Sequence, residues 1–344
     1  MKILGLDPGV EDIIIPLPDR WLAAKLRVFV AKECAMNGLD EIVKIIDQIS
    51  AEGSIDLASW PASAPFTPEL LGLVKAPSGR LSWPATPQLL DVALLQDSYP
   101  ELAVRYLPII DSTNTALVKA SATGSIANTL YLTEFQYGGR GRRGRTWLSP
   151  FARNLAVTLG FACARPVGDI GGLSLVVGLA LAETLVSLGV DDVELKWPND
   201  VLVRGCKVAG ILIELVERDG AAEIVVGIGV NVHINQDERE LIEQPVIDLA
   251  ELGVMDTRTT LVGLVVQNVR RFVEHFEAEG FLPFKRAFDQ RHALHGKDCT
   301  VIYGATRVTG TVNGVGEQGE LVFDTKEGEK RFYGGEVSLR GKLR

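Results

Sequence analysis

The stretch KVAGILIELVERDGAAEIVVGIGVNV, Lys207–Val232, decides the fold. Lys207–Val216 and Glu223–Val232 are β-rich runs, and Glu217–Gly220 between them has hairpin character, so antiparallel pairing is expected. Working outward, further strands are expected over Thr129–Glu134, Asn154–Phe161, Val193–Trp197 and Val201–Val203, the last two flanking a turn at Pro198–Asn199–Asp200. Leu173–Leu188 reads as a buried helix closed by Gly189. A second helix, capped at Asp256 or Thr257, runs to about Glu279, where Gly280 stops it. Hairpins beside helices argue for an α+β fold on a mixed or antiparallel sheet, not a doubly wound one.

The flanks read differently. From Lys297 the short runs Cys299–Tyr303, Arg307–Val312, Leu321–Asp324 and Lys330–Tyr333 are separated by glycines, which fits a small β-barrel. Near the start, Leu39–Ala51 places Leu39, Ile42, Val43, Ile45, Ile46 and Ile49 at helical spacing, with Gly53 as the stop. Pro61, Pro65 and Pro68 make Trp60–Pro68 a loop. Ser78–Gly79 turns a hairpin between Leu73–Val74 and Arg80–Trp83, and Pro84 and Pro87 mark a linker. With 344 residues, two or three domains are expected.

Composition excludes several classes. The net charge is −9, and an acidic chain is a poor general binder of nucleic acid, so basic chemistry must be local. Residues 1–97 carry eight Lys/Arg against thirteen Asp/Glu, a net of −5, with no basic recognition helix. The scattered Cys34, Cys163, Cys206 and Cys299 give no disulfide framework. His292 and His295 form HxxH without a carboxylate or cysteine partner pattern, so no protein metal ligands are expected. The opening MKILGLDPGVEDIII is no signal peptide, and Leu173–Leu188 is too short and polar to span a membrane. A soluble, cytoplasmic protein is expected.

The local basic chemistry lies in Gln136–Trp147, QYGGRGRRGRTW. Arg140, Arg142, Arg143 and Arg145 fall within six residues, interleaved with glycines. Glycine permits close backbone approach and mobility, and arginine contacts phosphate or carboxylate bidentately. Four like charges repel, and an anionic ligand would relieve them. The competing readings are an RGG-like RNA segment and a solvated turn, but Trp147 and strands on both sides frame a folded loop. It is not a P-loop, because GxxxxGK[ST] is absent. KWPND, Lys196–Asp200, converges a lysine, an amide and a carboxylate at a strand–turn–strand junction, although a plain turn would explain Pro198–Asp200. Lys207 could be a ligand cation or simply solvated. GIGVN, Gly227–Asn231, has alternate glycines that admit a ligand or another backbone, and Asn231 could bond a ligand or the next turn. Asp111–Asn114 could be a site or a helix N-cap.

In this order and spacing, DSTN (111–114), EFQYGGRGRRGRTWLSPF (134–151), KWPND, KVAGILIE (207–214), GIGVN and GGEVSLR (334–340) resemble the biotin protein ligases of the BirA type. The resemblance covers about residues 105–344. Lipoate ligases share the superfamily but lack this loop pattern. The resemblance implies a class II synthetase-like mixed sheet with helices, a C-terminal SH3-like β-barrel and a small N-terminal, degenerate winged-helix-like domain. The corresponding boundaries are 1–97, 98–295 and 296–344.

The resemblance further implies that biotin and ATP, with Mg2+ on the triphosphate, give biotinyl-5′-AMP. The biotinyl group then passes to a lysine of the biotin carboxyl carrier protein of acetyl-CoA carboxylase. By match to the motifs, Ser112, Thr113, Asn114 and Gln136 would hold biotin, with Arg140, Gly141 and Arg142 over its carboxylate and the adenylate phosphate. Arg145 and Trp147 would frame the nucleotide side, and Lys207 would contact the reacting groups. Lys196, Asn199 and Asn231 would serve ATP beside Asp200. Glu336 and Arg340 match the tail motif that approaches the catalytic domain, Arg340 on the ATP side. A homodimer through the central sheet is implied. So is one alternative, a bifunctional ligase and biotin-operon repressor, although the acidic N-terminal segment speaks against DNA binding. A lipoate ligase and a non-enzymatic RNA-binding protein are the other rivals.

Overall fold

The computed structural model describes residues 39–61, 67–83, 87–218, 220–303, 306–333 and 337–341. Glu336, Pro65 and Pro84 lie outside the described residues. The chain divides into two compact units, with the boundary between Gln88 and Leu89. In the first, α1 (Leu39–Glu52) ends at Gly53, whose φ is 79°. Its Ile42, Ile45, Ile46 and Ile49 are buried, as their spacing requires. Strands β1 (Ile55–Asp56), β2 (Val74–Lys75) and β3 (Arg80–Ser82) form an antiparallel sheet in the order β1-β3-β2, with Gly79 in the hairpin turn.

The second unit begins with α2 (Val92–Ser98), which Asp91 caps through its side chain on Leu94 N. The expected boundary at 97/98 would cut through this helix. Leu90 and Leu95 belong to the core of the second unit, which draws the boundary back to 88/89. There follow β4 (Ala103–Tyr106), β5 (Ile109–Ile110), α3 (Thr113–Ser121), β6 (Thr129–Leu132), β7 (Phe135–Gln136) and β8 (Leu155–Cys163). Next come α4 (Leu173–Ser187), β9 (Val193–Lys196), β10 (Asp200–Val203), β11 (Cys206–Arg218) and β12 (Ala221–Val230). Seven of these strands form one sheet in the order β4-β6-β8-β12-β11-β10-β9. Only β4–β6 is parallel within it, so the sheet is mixed. The hairpin expected at the outset is β11–β12, and it pairs further than expected, out to Arg218↔Ala221.

The short capped helix α5 (Gln236–Glu240) precedes the long α6 (Arg258–Glu279), which Thr257 caps and Gly280 ends. Alternate residues of β12 serve different layers. Ile224 and Val226 join the main core with α4 and α6, whereas Val225 packs with Leu117 of α3. The sheet is therefore covered by α4 and α6 on one face and by α3 on the other.

After α7 (Lys285–Arg291) comes an antiparallel sheet of β13 (Asp298–Tyr303), β14 (Thr306–Val315), β15 (Leu321–Thr325), β16 (Gly328–Phe332) and β17 (Val337–Gly341), ordered β16-β15-β14-β13-β17. The fifth strand, which pairs Arg340 with Thr300, was not expected from the sequence. Trp197 Nε1 donates to the Gly319 carbonyl at 3.0 Å, tying this sheet to the larger one. No helix among the described residues is long and apolar enough to cross a membrane.

Candidate active site

The register of β11 against β12 sets the site. Gly210 lies opposite Gly229, Leu212 opposite Gly227 and Glu214 opposite Val225. These alternate residues face α3 and the arginine–glycine loop. Added methyls show why glycine is needed: at Gly227 one would overlap the Asn114 amide, and at Gly229 the Trp147 indole. At Gly210 it would come within 3.0 Å of Lys207 Cε. The alternate glycines therefore admit side chains of this protein, and Gly210, Gly227 and Gly229 also line the same pocket as Asn114, Trp147 and Lys207.

At one end the site is polar and uncharged. Ser112, Thr113, Asn114 and Gln136 are all buried. Ser112 occupies the N-cap position of α3 but makes no side-chain cap. The Gln136 Oε1 accepts from Thr113 N at 2.8 Å and from its hydroxyl at 3.1 Å. The Asn114 Nδ2 donates to the Leu212 carbonyl at 3.2 Å and to Glu214 at 2.9 Å. Beneath this end, a fully buried network fixes the chain entering the loop. Arg258 pairs with Glu134 at 2.5 Å, and Tyr106 Oη and Leu90 N each donate to Glu134 at 2.8 Å. Burial, then the Glu134 charge, pushes the Tyr106 hydroxyl well above the usual tyrosine range.

The loop itself is a closed hairpin. Trp147 N donates to the Gly139 carbonyl at 2.9 Å and Gly141 N to the Arg145 carbonyl at 2.7 Å, around a turn at Arg142–Gly144. Arg143 (φ 61°) and Gly144 (φ 72°) are successive left-handed residues, a conformation costly for arginine. Arg140 reaches Glu214 at 3.1 Å, and Arg142 reaches Asn199 Oδ1 at 3.4 Å. Burial lowers the Arg142 guanidinium pKa, opposed by the nearby Asp200 carboxylate and reinforced by Arg143 and Arg145.

The opposite end is charged. Lys207 Nζ lies 2.7 Å from Asp200 and 5.4 Å from the Trp147 ring centroid. The indole Nε1 of Trp147 is buried with no partner among the described residues. Together these groups line a pocket of about 760 Å³, partly open to solvent, with Gln244 at its rim. From Gly210 to Leu212 it follows the strand for roughly 7 Å, at about 3.3 Å per residue.

Ser112, Thr113, Asn114, Gln136, Arg140, Gly141, Arg142, Arg145, Trp147, Asn199, Asp200 and Lys207 thus share one pocket. Among the described residues, two expected ones, Asn231 and Lys196, do not line it. Asn231 spends its amide on the Lys207 and Ile247 carbonyls, at 3.1 and 3.3 Å, because it ends β12 beside that backbone. Lys196 sits at the end of β9, where its charge is felt at Cys299. Arg340 lies in β17, and its side chain is outside the described residues. Glu214 and Thr158, which hold Asn114, were missed. Each is a polar residue within an apolar strand, and that is the signal that could have found it. Gln244 lies in a polar surface stretch and gave none.

The class follows from profile comparison. The Biotin/lipoate A/B protein ligase family matches residues 106–231, and the Biotin protein ligase C terminal domain matches 294–340. The chain is 35 % identical over 266 residues to the bifunctional ligase/repressor BirA of Escherichia coli (strain K12), covering 77 % of this chain and 82 % of that one. It is 33 % identical over 240 residues to the biotin–[acetyl-CoA-carboxylase] ligase of Paracoccus denitrificans, covering 67 % and 98 %. Among solved structures, the biotin protein ligase from Aquifex aeolicus in complex with biotin and ATP superimposes with a TM-score of 0.60 at 28 % identity, covering 70 % and 99 %. The chain belongs to the biotin protein ligase family.

Proposed function

We propose that this protein condenses biotin with ATP to biotinyl-5′-AMP and pyrophosphate, then transfers the biotinyl group to a lysine of a biotin carboxyl carrier protein. One observation carries the reading: a single pocket along β11–β12 with a neutral, hydrogen-bonding end and a cationic end. A ligand with an uncharged polar head and a carboxylate tail fits that polarity. Ser112, Thr113, Asn114 and Gln136 would hold the head, and Arg140, Gly141 and Arg142 would cover the tail. Lys207, oriented by Asp200, would meet the carboxylate where it attacks the α-phosphorus. Asn199 and Arg145 would serve the nucleotide, with Trp147 as the wall between. Asn231 would act indirectly, by fixing the Lys207 backbone.

In the first step a carboxylate oxygen bonds to phosphorus and pyrophosphate leaves. Negative charge grows on the phosphoryl oxygens, and the pre-placed cations stabilise it. Mg2+ would arrive on the triphosphate, held mainly by its oxygens. In the second step the carrier lysine attacks the acyl carbon and AMP leaves. The closed hairpin would keep water from the mixed anhydride meanwhile.

The same reading gives three domains, with residues 296–344 an SH3-like barrel and the 39–83 region a degenerate winged helix. The acidic balance of residues 1–97 favours a ligase without operator binding, and a gel shift on the biotin-operon promoter with biotinyl-AMP tests this. A homodimer through an edge of the large sheet would be seen by sedimentation. The adenylation test uses purified protein, biotin, labelled ATP and millimolar Mg2+ without carrier. Labelled biotinyl-AMP is expected. None forming, or lipoate replacing biotin equally well, overturns the proposal.

A further inference from the structure

We propose that Glu214 is a positioning residue that latches the arginine–glycine hairpin over the pocket. Its two carboxylate oxygens serve two masters. One accepts from Arg140 Nη2 at 3.1 Å and the other from Asn114 Nδ2 at 2.9 Å. Thr158 donates to Asn114 Oδ1 at 2.7 Å, so both ends of that amide are committed and its orientation is fixed. Glu214 is the only charged residue between Ala209 and Val216, and its register opposite Val225 places it on the pocket face, just beyond Asn114. It does not line the pocket, and so acts through the two residues it holds.

The hairpin concentrates positive charge. It carries four guanidinium groups and a left-handed Arg143–Gly144 turn. Beyond its own backbone bonds, Arg140 holds it to Glu214 and to Thr115 Oγ1 at 3.3 Å, and Arg142 holds it to Asn199 at 3.4 Å. The Glu214 contact is an ion pair. The Arg140 side chain is 49 % exposed and Glu214 24 %, so the pair is weak and screened by salt. That suits a latch: strong enough to bias the hairpin shut, weak enough for an arriving ligand carboxylate or phosphate to share Arg140.

Limited trypsin digestion of the full chain without ligand reads the latch directly, because trypsin cuts after the loop arginines. Glu214→Gln is expected to speed cleavage within 140–145 by about threefold, the worth of a half-exposed ion pair. In the wild type, raising salt from about 50 to about 500 mM should speed cleavage towards the variant rate, while the variant stays flat. That arm needs no mutant to fold. Arg140→Gln leaves three cleavage sites, and Arg140→Gln/Glu214→Gln should open no faster than either single variant. Additive effects in the double variant, or equal cleavage and equal salt response in wild type and Glu214→Gln, overturn the latch.

A second arm rests on the ligase reading. Preformed biotinyl-AMP should leave Glu214→Gln about threefold faster than wild type. An unchanged release rate overturns the latch. Failure of the wild type to make biotinyl-AMP counts against the ligase reading, and the digestion then still decides the latch.

Discussion

Lys207 is held from several sides: by Asp200 at 2.7 Å, by the Trp147 ring, and through its backbone, which bonds to Pro245 and Ile247. A cation fixed this way needs no reorganisation when charge develops on phosphorus. Lys207→Gln is therefore expected to cut the adenylation kcat by about 10²–10³-fold. Quenched-flow measurement of biotinyl-AMP checks this, and a loss below about tenfold would remove Lys207 from the reaction centre. Arg142 spans from the hairpin to Asn199, and on the proposed reading it would contribute retention as well as charge. Arg142→Gly should release reactive biotinyl-AMP and label bystander lysines, seen by mass spectrometry of an added inert protein. Strict carrier specificity in that variant would refute the role. At this scale the sequence was informative where chemistry is dense, as in the arginine loop. It left Asn231 open, because a strand-end amide that bonds backbone looks the same in one dimension as one that bonds a ligand.

Among the elements, β11 and β12 show how a strand can be a floor with openings. Gly227 admits Asn114, and Gly229 admits Trp147. Gly227→Ala should push the Asn114 amide aside and raise KM for biotin at least about tenfold, the cost of misplacing one buried hydrogen-bonding group, while KM for ATP changes little. Equal rises in both would show a general collapse of the sheet instead. The hairpin was legible because its runs are long and apolar between turn residues. β4, β5 and α2 were not, since a few residues leave no periodicity to read. β17 was masked by its polar, glycine-flanked sequence, and only its pairing with β13 defines it.

Across the whole molecule, the junction between the seven-stranded and five-stranded sheets of the second unit carries an acid-sensitive group. His292 caps the end of α7, packs tilted against Phe288 with ring centroids 5.1 Å apart, and buries both ring nitrogens without a partner among the described residues. Burial lowers its pKa from 6.5 to about 4, with Asp289 opposing. The unfolded chain thus binds this proton more readily than the folded one. The stability that depends on neutral His292 is complete above pH 6.5 and is lost as pH falls from there towards 4. The loss should be about 2 kcal/mol by pH 5. Thermal melts at pH 7 and pH 5 should show a smaller drop for His292→Leu than for wild type, and equal drops would contradict the assignment. HxxH disclosed the residue but not its burial, which arises from packing between distant elements.

The bond from Trp197 to the Gly319 carbonyl has a practical corollary for chimeras. Gly319 also sits against the Gly172 backbone so closely that a side chain there would collide. The C-terminal sheet is therefore keyed to the KWPND turn by a carbonyl and a missing methyl, not merely tethered by its linker. A graft that exchanges this sheet between ligases must carry a glycine at that point. Otherwise it will dislodge the indole only two residues from Asn199.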